Sequence, residues 1–336
     1  MKLRRLTLEA VRGVPDGDYD FSEKRAERSF DRCIVIGGAA TGKSSLLEGI
    51  AALATAVETS GVHPPADPWV RSRASVGRIE AIWELSDREM ERAGATERDQ
   101  RTAWTFRTSG APSITASDSM TSLLRFGPPA TSRVLLLGPE RYFSAGGRRL
   151  PLIGASPPWW SPYARSNSLE CVPWLLADRA SRDAAHLDRL LSTAGVVLSS
   201  DRPDSLSEVR EALTTLAPQL RLIDAEKDES RAVVRFAHVK GWSLTLEQLS
   251  TMERQAVLLA VALRLSPHED CVVLIDTPEL GVPARDVARF VDALAKLASP
   301  NQLIVATGSE EIARAWPDAV VRLDARQAPV DKESAP

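Results

Sequence analysis

Residues Lys2–Leu8, Lys-Leu-Arg-Arg-Leu-Thr-Leu, largely alternate polar and apolar side chains. That period of two predicts a half-buried strand ending near Val11. The Pro15-Asp16-Gly17 turn signal follows, so Asp18–Phe21 is expected to pair back as a hairpin. Cys33–Ile36 is a short apolar run, read as a buried strand, and Lys43–Ala56 carries apolar residues at helical spacing. Arg78–Leu85 and Ala103–Arg107 read as strands, the second around Trp104 and Phe106. Between them the charge-dense Ser86–Arg101 reads as a short exposed helix or a loop. Ser109–Ser117, rich in small residues and without periodicity, reads as a mobile loop, and Val134–Leu137 as another buried strand. Helices are predicted at Trp174–Ala194 and Leu206–Leu216, then a strand at Ala232–Ala237 that Trp242–Leu246 extends or follows. From Ser250 a helix runs to the Ser266-Pro267 stop. The closing segment alternates strand Cys271–Ile275, helix Val287–Ala298, strand Gln302–Ala306, helix Glu310–Ala315 and strand Ala319–Leu323. Such alternation predicts an α/β fold with a parallel sheet covered by helices.

A chain of 336 residues suffices for one large α/β domain with an insertion or for two smaller ones. With 42 Lys and Arg against 45 Asp and Glu, the net charge of -3 gives no global attraction to nucleic acid or to a membrane. The longest apolar runs, Val257–Leu263 and Cys271–Ile275, are far short of a bilayer span, and we expect a soluble cytoplasmic protein. Cys33, Cys171 and Cys271 are odd in number and widely spaced, which argues against a disulfide framework or a zinc site. His63, His186, His238 and His268 form no ligand pattern. Residues 144–175 are rich in Gly, Pro and Trp and read as an irregular packed insertion, with Trp159 and Trp160 as loop packing or a partner surface.

Chemistry enters at Gly37–Ser44, Gly-Gly-Ala-Ala-Thr-Gly-Lys-Ser, which fits G-x-x-x-x-G-K-[ST] between a strand and a helix. Gly37, Gly38, Ala39, Ala40, Thr41 and Gly42 form a loop whose backbone N–H groups can converge on one anion, and the following helix adds its positive dipole end. Lys43 is expected to reach the β- and γ-phosphates of a nucleotide, with Ser44 as a Mg²⁺ ligand and Ser45 beside it.

Far downstream the chain reads Leu246-Glu-Gln-Leu-Ser-Thr-Met-Glu-Arg-Gln-Ala, then Val272-Val-Leu-Ile-Asp276-Thr-Pro-Glu-Leu280. The first stretch resembles the signature of ABC-type ATPases, with Leu249, Ser250, Glu253, Arg254 and Gln255 at matching positions, and the second resembles their Walker B strand. At the N-terminus, Leu8-Glu-Ala-Val-Arg-Gly-Val14 looks like the opening of RecF, SMC and related proteins, with Arg12 at the position of an arginine near the nucleotide. The chain is thus similar to a compact ABC-type ATPase of the RecF/SMC-like, AAA_21-type group, without a coiled-coil arm. The resemblance covers about 1–50 and 240–325 and implies one ABC-type head over 1–325, with an antiparallel β lobe. Its core is 1–60 and 230–325, with an insertion or lid at about 61–230 and a disordered tail at 326–336. It further implies ATP and Mg²⁺ as cofactors, Asp276 on the metal, and two protomers facing head to tail. Each ATP would lie between one phosphate loop and the other's Ser250, Thr251, Met252 and Glu253.

Three departures stand against that pattern. Thr277 replaces the glutamate that polarises the attacking water, and threonine is no base near neutral pH. Gly308 stands where a switch histidine is usual, and Met252 replaces a signature glycine, so that its long side chain is expected to crowd the approach of backbone to phosphate. Glu279 is the alternative base. The expected function is a nucleotide-gated switch or scaffold for a protein effector, in DNA repair or phage defence, with weak or absent hydrolysis. The alternatives are an active ATPase coupled to DNA, and a nucleic-acid binder using Arg4, Arg5, Arg71, Arg73, Arg78, Arg148 and Arg149. No glutamine marks a Q-loop; Glu140 and Arg141 occupy that region.

Overall fold

A computed structural model describes residues 1–23, 28–58, 69–126, 134–138, 172–194, 203–227, 232–265 and 270–323. Strand β1 (Lys2–Glu9) pairs antiparallel with β2 (Gly17–Asp20), placing Arg5 opposite Asp20 and Leu8 opposite Gly17, so the hairpin forms as its turn signal requires. Two short strands, β3 (Ser22–Glu23) and β4 (Arg28–Ser29), lead into β5 (Arg32–Ile36) and helix α1 (Lys43–Glu58). Next come β6 (Val76–Glu84), α2 (Asp87–Ala93), β7 (Asp99–Arg107), β8 (Ser113–Ala116), α3 (Asp118–Phe126) and β9 (Val134–Leu137). The second half holds α4 (Val172–Ala194), α5 (Ser207–Leu216), β10 (Leu220–Lys227), β11 (Ala232–His238) and β12 (Ser243–Thr245). A 3-10 turn, Leu246–Gln248, then enters α6 (Thr251–Leu265), and the chain closes through β13 (Val272–Asp276), α7 (Ala284–Ala298), β14 (Gln302–Thr307), α8 (Glu310–Ala315) and β15 (Val320–Arg322).

The central sheet has the order β15-β5-β14-β13-β9, and every pair in it is parallel. Its strands are buried on both faces, which is why they read as continuous apolar runs and not as alternation. Successive residues nonetheless serve two cores. Ile34, Ile36, Val273, Ile275 and Val305 face the α5–α8 side. Cys33, Val35, Val272, Leu274 and Ile304 face α1 and the antiparallel sheet β2-β1-β6-β7-β8. Of the span 61–230 expected as an insertion, β6, β7 and β8 belong to this N-terminal sheet and β9 to an edge of the parallel one.

One segment differs from expectation, and a second, where the expected short helix forms, differs only at its end. Ser109–Ser117 contains β8, paired to β7 from Thr102↔Ala116 to Thr105↔Ser113. Its residues alternate between exposed and half-buried, and an edge strand with a polar face is hard to tell from a loop. Within Ser86–Arg101, Asp99–Arg101 already belong to β7, while α2 is fixed by a Ser86–Glu89 capping box and by Gly94 in the left-handed region at φ 61°. Strand β10 escaped the periodicity because a bulge between Leu222 and Asp224 breaks its alternation. The Pro-rich stretch at 63–68, Cys171, Trp159, Trp160, Glu140, Arg141, Arg148, Arg149 and the 326–336 tail lie outside the described residues.

Candidate nucleotide site

The phosphate loop joins β5 to α1 at the carboxyl edge of the parallel sheet. Gly38, Ala39 and Ala40 are exposed, and Ala40 and Gly42 take positive φ of 59° and 90°. Lys43 Nζ donates to Gly37 O at 2.9 Å and Gly38 O at 2.6 Å, which keeps the ammonium at the mouth of the loop. Thr41 Oγ1 donates to Gly38 O at 3.0 Å. An exposed, glycine-containing loop beside a helix N-terminus and a lysine is the make-up of an anion cradle, so the loop fits a nucleotide's phosphates.

Gly42 is packed hard against its wall. A Cβ there would lie 2.8 Å from Gly13 O and from Val14 Cα. The wall is the loop Val11–Asp16, and Arg71 staples it: Nε donates to Arg12 O at 3.0 Å, Nη2 to Val14 O at 2.5 Å, and the guanidinium pairs with Asp16 at 2.8 Å. Arg12 itself, with φ 35°, lies with its guanidinium 4.0 Å from the Trp69 ring centroid and pairs with Glu48 of α1. It therefore stands beside the helix that the phosphate loop opens. Trp69 and Glu48 were not singled out in the sequence, and Arg71 was named only as a nucleic-acid candidate, because they meet this loop only through pairings at long sequence separation.

Asp276 ends β13, 3% exposed, in register with Ala306 of β14, which is itself level with Val35 of β5. It thus shares the sheet edge from which the phosphate loop springs. Thr277 follows with φ 50°, its N–H donating to Ala306 O at 2.8 Å and its hydroxyl to Asp276 Oδ1 at 3.0 Å. Glu279 meets the end of β14. Its Oε1 accepts the Thr307 hydroxyl at 2.5 Å, and its Oε2 is buried without a partner among the described residues. Thr307 Oγ1 in turn accepts the Ser309 N–H at 2.9 Å, and between them Gly308 faces Gly37 O, 4.0 Å from where a Cβ would be. The oxygens of Ser44 and Asp276 are hard donors that fit Mg²⁺. Among the described residues no group of three or more His, Cys, Asp or Glu side chains forms a metal cluster.

The signature segment starts α6. Ser250 and Glu253 form a capping box: Glu253 Oε2 accepts the Ser250 N–H at 2.9 Å and hydroxyl at 2.8 Å, and the Glu253 N–H returns to Ser250 Oγ at 3.4 Å. Glu253 Oε1 takes Gln219 Nε2 at 3.4 Å and faces His238 Nε2 at 3.5 Å. Burial opposes the Glu253 charge, yet the Ser250 bonds, Gln219 and His238 outweigh it and hold the carboxyl below its ordinary value. Thr251 is exposed and touches the loop after β13, since a Cβ on Gly281 would lie 2.7 Å from Thr251 Cγ2. Met252, expected to crowd an incoming phosphate, is half-buried and packs against the helical-side core.

No family model and no curated protein matches the chain. Solved structures do. A crystal structure of an SMC head bound to the C-terminal winged-helix domain of ScpA aligns over 96% of this chain and 94% of that one, with a TM-score of 0.58 and 14% identity. The SMC head with an extended coiled coil bound to the C-terminal domain of ScpA, from Pyrococcus furiosus, aligns over 96% and 93%, at 0.56 and 12%. The fold is that of an ABC-type ATPase head.

Of the seven arginines named as a nucleic-acid face, five lie among the described residues, and three of these five are ion-paired. Arg4 pairs with Asp99, Arg71 with Asp16, and Arg78 together with Arg101 with Glu80. Cys33 and Cys271 are buried, and burial pushes the Cys33 thiol up to about 12, which leaves it unreactive. No helix among the described residues is long and apolar enough to cross a membrane.

Proposed function

We propose that this chain is the ATP-binding subunit of an ABC-type system. Two copies associate head to tail around Mg-ATP, and the assembly acts as a nucleotide-gated switch or scaffold for a protein partner, with hydrolysis weak or absent. The phosphate loop, Lys43 and Ser44 would hold the nucleotide. Bound Mg²⁺ would neutralise phosphate charge between Ser44 and Asp276. The observation carrying the reading is that an intact anion cradle stands beside Asp276 while the next side chain, Thr277, spends its hydroxyl on Asp276 and offers no base. A protein partner agrees with the two solved heads, each bound to a domain of ScpA. A setting in DNA repair or phage defence follows only from the sequence resemblance.

The test measures Mg-ATP binding by calorimetry, mass by sedimentation with and without nucleotide, and phosphate release. Binding and association without appreciable release support the reading; failure of Lys43→Ala to abolish binding counts against it. A second reading, an active ATPase coupled to DNA, has one observation in its favour: the unpartnered Oε2 of Glu279, an acceptor that a reacting water would satisfy. If phosphate release is substantial and is lost in Glu279→Ala, this second reading replaces the first.

A further inference from the structure

Three parallel strands end side by side at the carboxyl edge of the sheet. Asp276 of β13 is level with Ala306 of β14, and Thr307 of β14 with Ile36 of β5. Beyond these ends lie the turn at 277–281, the segment at 307–309 and the phosphate loop. The turn is closed by its own backbone, with the Leu280 N–H on Thr277 O at 3.2 Å and the Val282 N–H on Glu279 O at 2.9 Å. From it Glu279 crosses to the neighbouring segment. Its Oε1 accepts the hydroxyl of fully buried Thr307 at 2.5 Å, and Thr307 Oγ1 accepts the Ser309 N–H at 2.9 Å. Gly308, held between them, packs toward the phosphate loop, since a Cβ on it would meet Gly37 O at 4.0 Å. The far side of the turn rests on the signature helix. Gly281, at φ 76°, has no room for a Cβ, which would lie 2.7 Å from Thr251 Cγ2 and 3.4 Å from Met252 N. Glu279 therefore stands midway in a series of contacts from Gly37 to Thr251.

We infer that Glu279 is a positioning residue that transmits occupancy of the phosphate loop to the first turn of α6 in the same chain. The inference rests on the nucleotide reading above and names the side chain through which binding is felt elsewhere. A hydroxyl bonded to a carboxylate is short, directional and stronger than a neutral pair, so Thr307 and the turn move together. The Gly281 contact is too close to absorb a backbone shift and passes it to Thr251, beside the Ser250–Glu253 box. The clamp also has a reason to rearrange. Glu279 Oε2 is buried without a partner among the described residues, and a buried acceptor gains when a movement brings it a donor. An element that both sites can bias between two arrangements is what coupling requires.

The experiment follows amide hydrogen exchange over 249–256 in the full chain, with and without Mg-ATP, at a concentration where sedimentation shows one protomer. In the wild type Mg-ATP is expected to slow exchange there about threefold or more. Glu279→Ala and Thr307→Val are each expected to abolish that response while still binding Mg-ATP, and the double variant to be no worse than either single one. Glu279→Gln keeps an oxygen for the Thr307 hydroxyl and is expected to retain the response, as is Thr307→Ser. Should Glu279→Ala fail to fold, Thr307→Val against Thr307→Ser decides. An unchanged response in Glu279→Ala or Thr307→Val overturns the inference, and so does a Glu279→Gln that loses the response as fully as Glu279→Ala. A wild type that binds Mg-ATP with no change over 249–256 also overturns it and leaves the nucleotide reading standing. A wild type that does not bind Mg-ATP overturns the nucleotide reading, and the inference with it.

Discussion

The Thr277 hydroxyl donates to Asp276 Oδ1 at 3.0 Å, so the side chain following the Walker B aspartate is tied to that carboxylate. A β-branched residue at φ 50° is a strained choice, costing roughly 1–3 kcal/mol. Thr277→Glu is expected to raise phosphate release at least about tenfold above a wild-type rate well below the 1–100 per second of efficient phosphoryl-transfer enzymes. Thr277→Gly is expected to relieve the strain and raise the unfolding midpoint without changing ATP affinity. Steady-state phosphate assays and urea titrations check the two outcomes separately.

The parallel sheet was legible because β5, β13 and β14 are buried on both faces and their apolar runs are uninterrupted. Likewise Gly37–Ser44 and Ser250–Glu253 were found because each is a local motif whose geometry is set within a few residues. What escaped has non-local or irregular causes. Strand β8 carries Ser113 and Thr115 outward and so lacks an apolar signal, and the bulge in β10 shifts its period midway. Arg71 acts on Arg12 and Val14 from 57 to 59 residues away, and no spacing rule links such positions.

Gly42 and Gly38 sit in one loop under opposite constraints. A Cβ at Gly42 would lie 2.8 Å from backbone atoms of Gly13 and Val14, at φ 90°, whereas one at Gly38 would meet only Thr41 Cγ2 at 3.8 Å. Gly42→Ala is expected to cost about 1–3 kcal/mol and to lower ATP affinity by displacing the loop from its wall. Gly38→Ala should be near neutral for stability. Calorimetric titration of both variants beside thermal unfolding separates the effect on binding from that on folding.

Arg71 is a positioning residue for the phosphate loop, holding Arg12 O, Val14 O and Asp16 with one planar guanidinium. Lysine cannot reproduce three directed bonds from a point charge. Both Arg71→Lys and Arg71→Ala are expected to lose about 1–3 kcal/mol of stability and to weaken ATP binding severalfold, although Arg71 contacts the wall and not the loop itself. Equal ATP affinity in wild type and Arg71→Ala would remove the wall from the description of the site.

Gln302 ties the two sheets together. Its Oε1 accepts the Leu3 N–H at 2.6 Å, and its Nε2 donates to Leu3 O and Phe30 O, both at 2.9 Å, in a fully buried setting. Gln302→Leu fills similar space but strands one buried donor and two acceptors, at about 1–3 kcal/mol for each group left unpaired, less any relaxation. The loss should total about 3 kcal/mol or more in urea unfolding, among the largest for any single polar side chain here.

Glu253 gives the signature turn a pH dependence whose sign is fixed by its bonds. Its carboxyl titrates below the ordinary 4.5: burial works against ionisation, but the Ser250 N–H and hydroxyl, Gln219 and His238 favour it more. A carboxyl lowered on folding stabilises the native state above its unfolded pKa, and the contribution is lost as pH falls through the lower folded value. The stability difference between wild type and Glu253→Gln should therefore be constant from pH 7 down to about 5 and shrink below 4.5. Ser250→Ala removes the hydroxyl donor to the carboxylate but leaves the backbone N–H, so it should cost about 0.5–2 kcal/mol as a lost cap and reduce the acid dependence only in part. Urea titrations of the three proteins between pH 3 and 7 measure this; a wild type to Glu253→Gln difference that persists unchanged at pH 3 would show that Glu253 holds the turn by shape and not by charge.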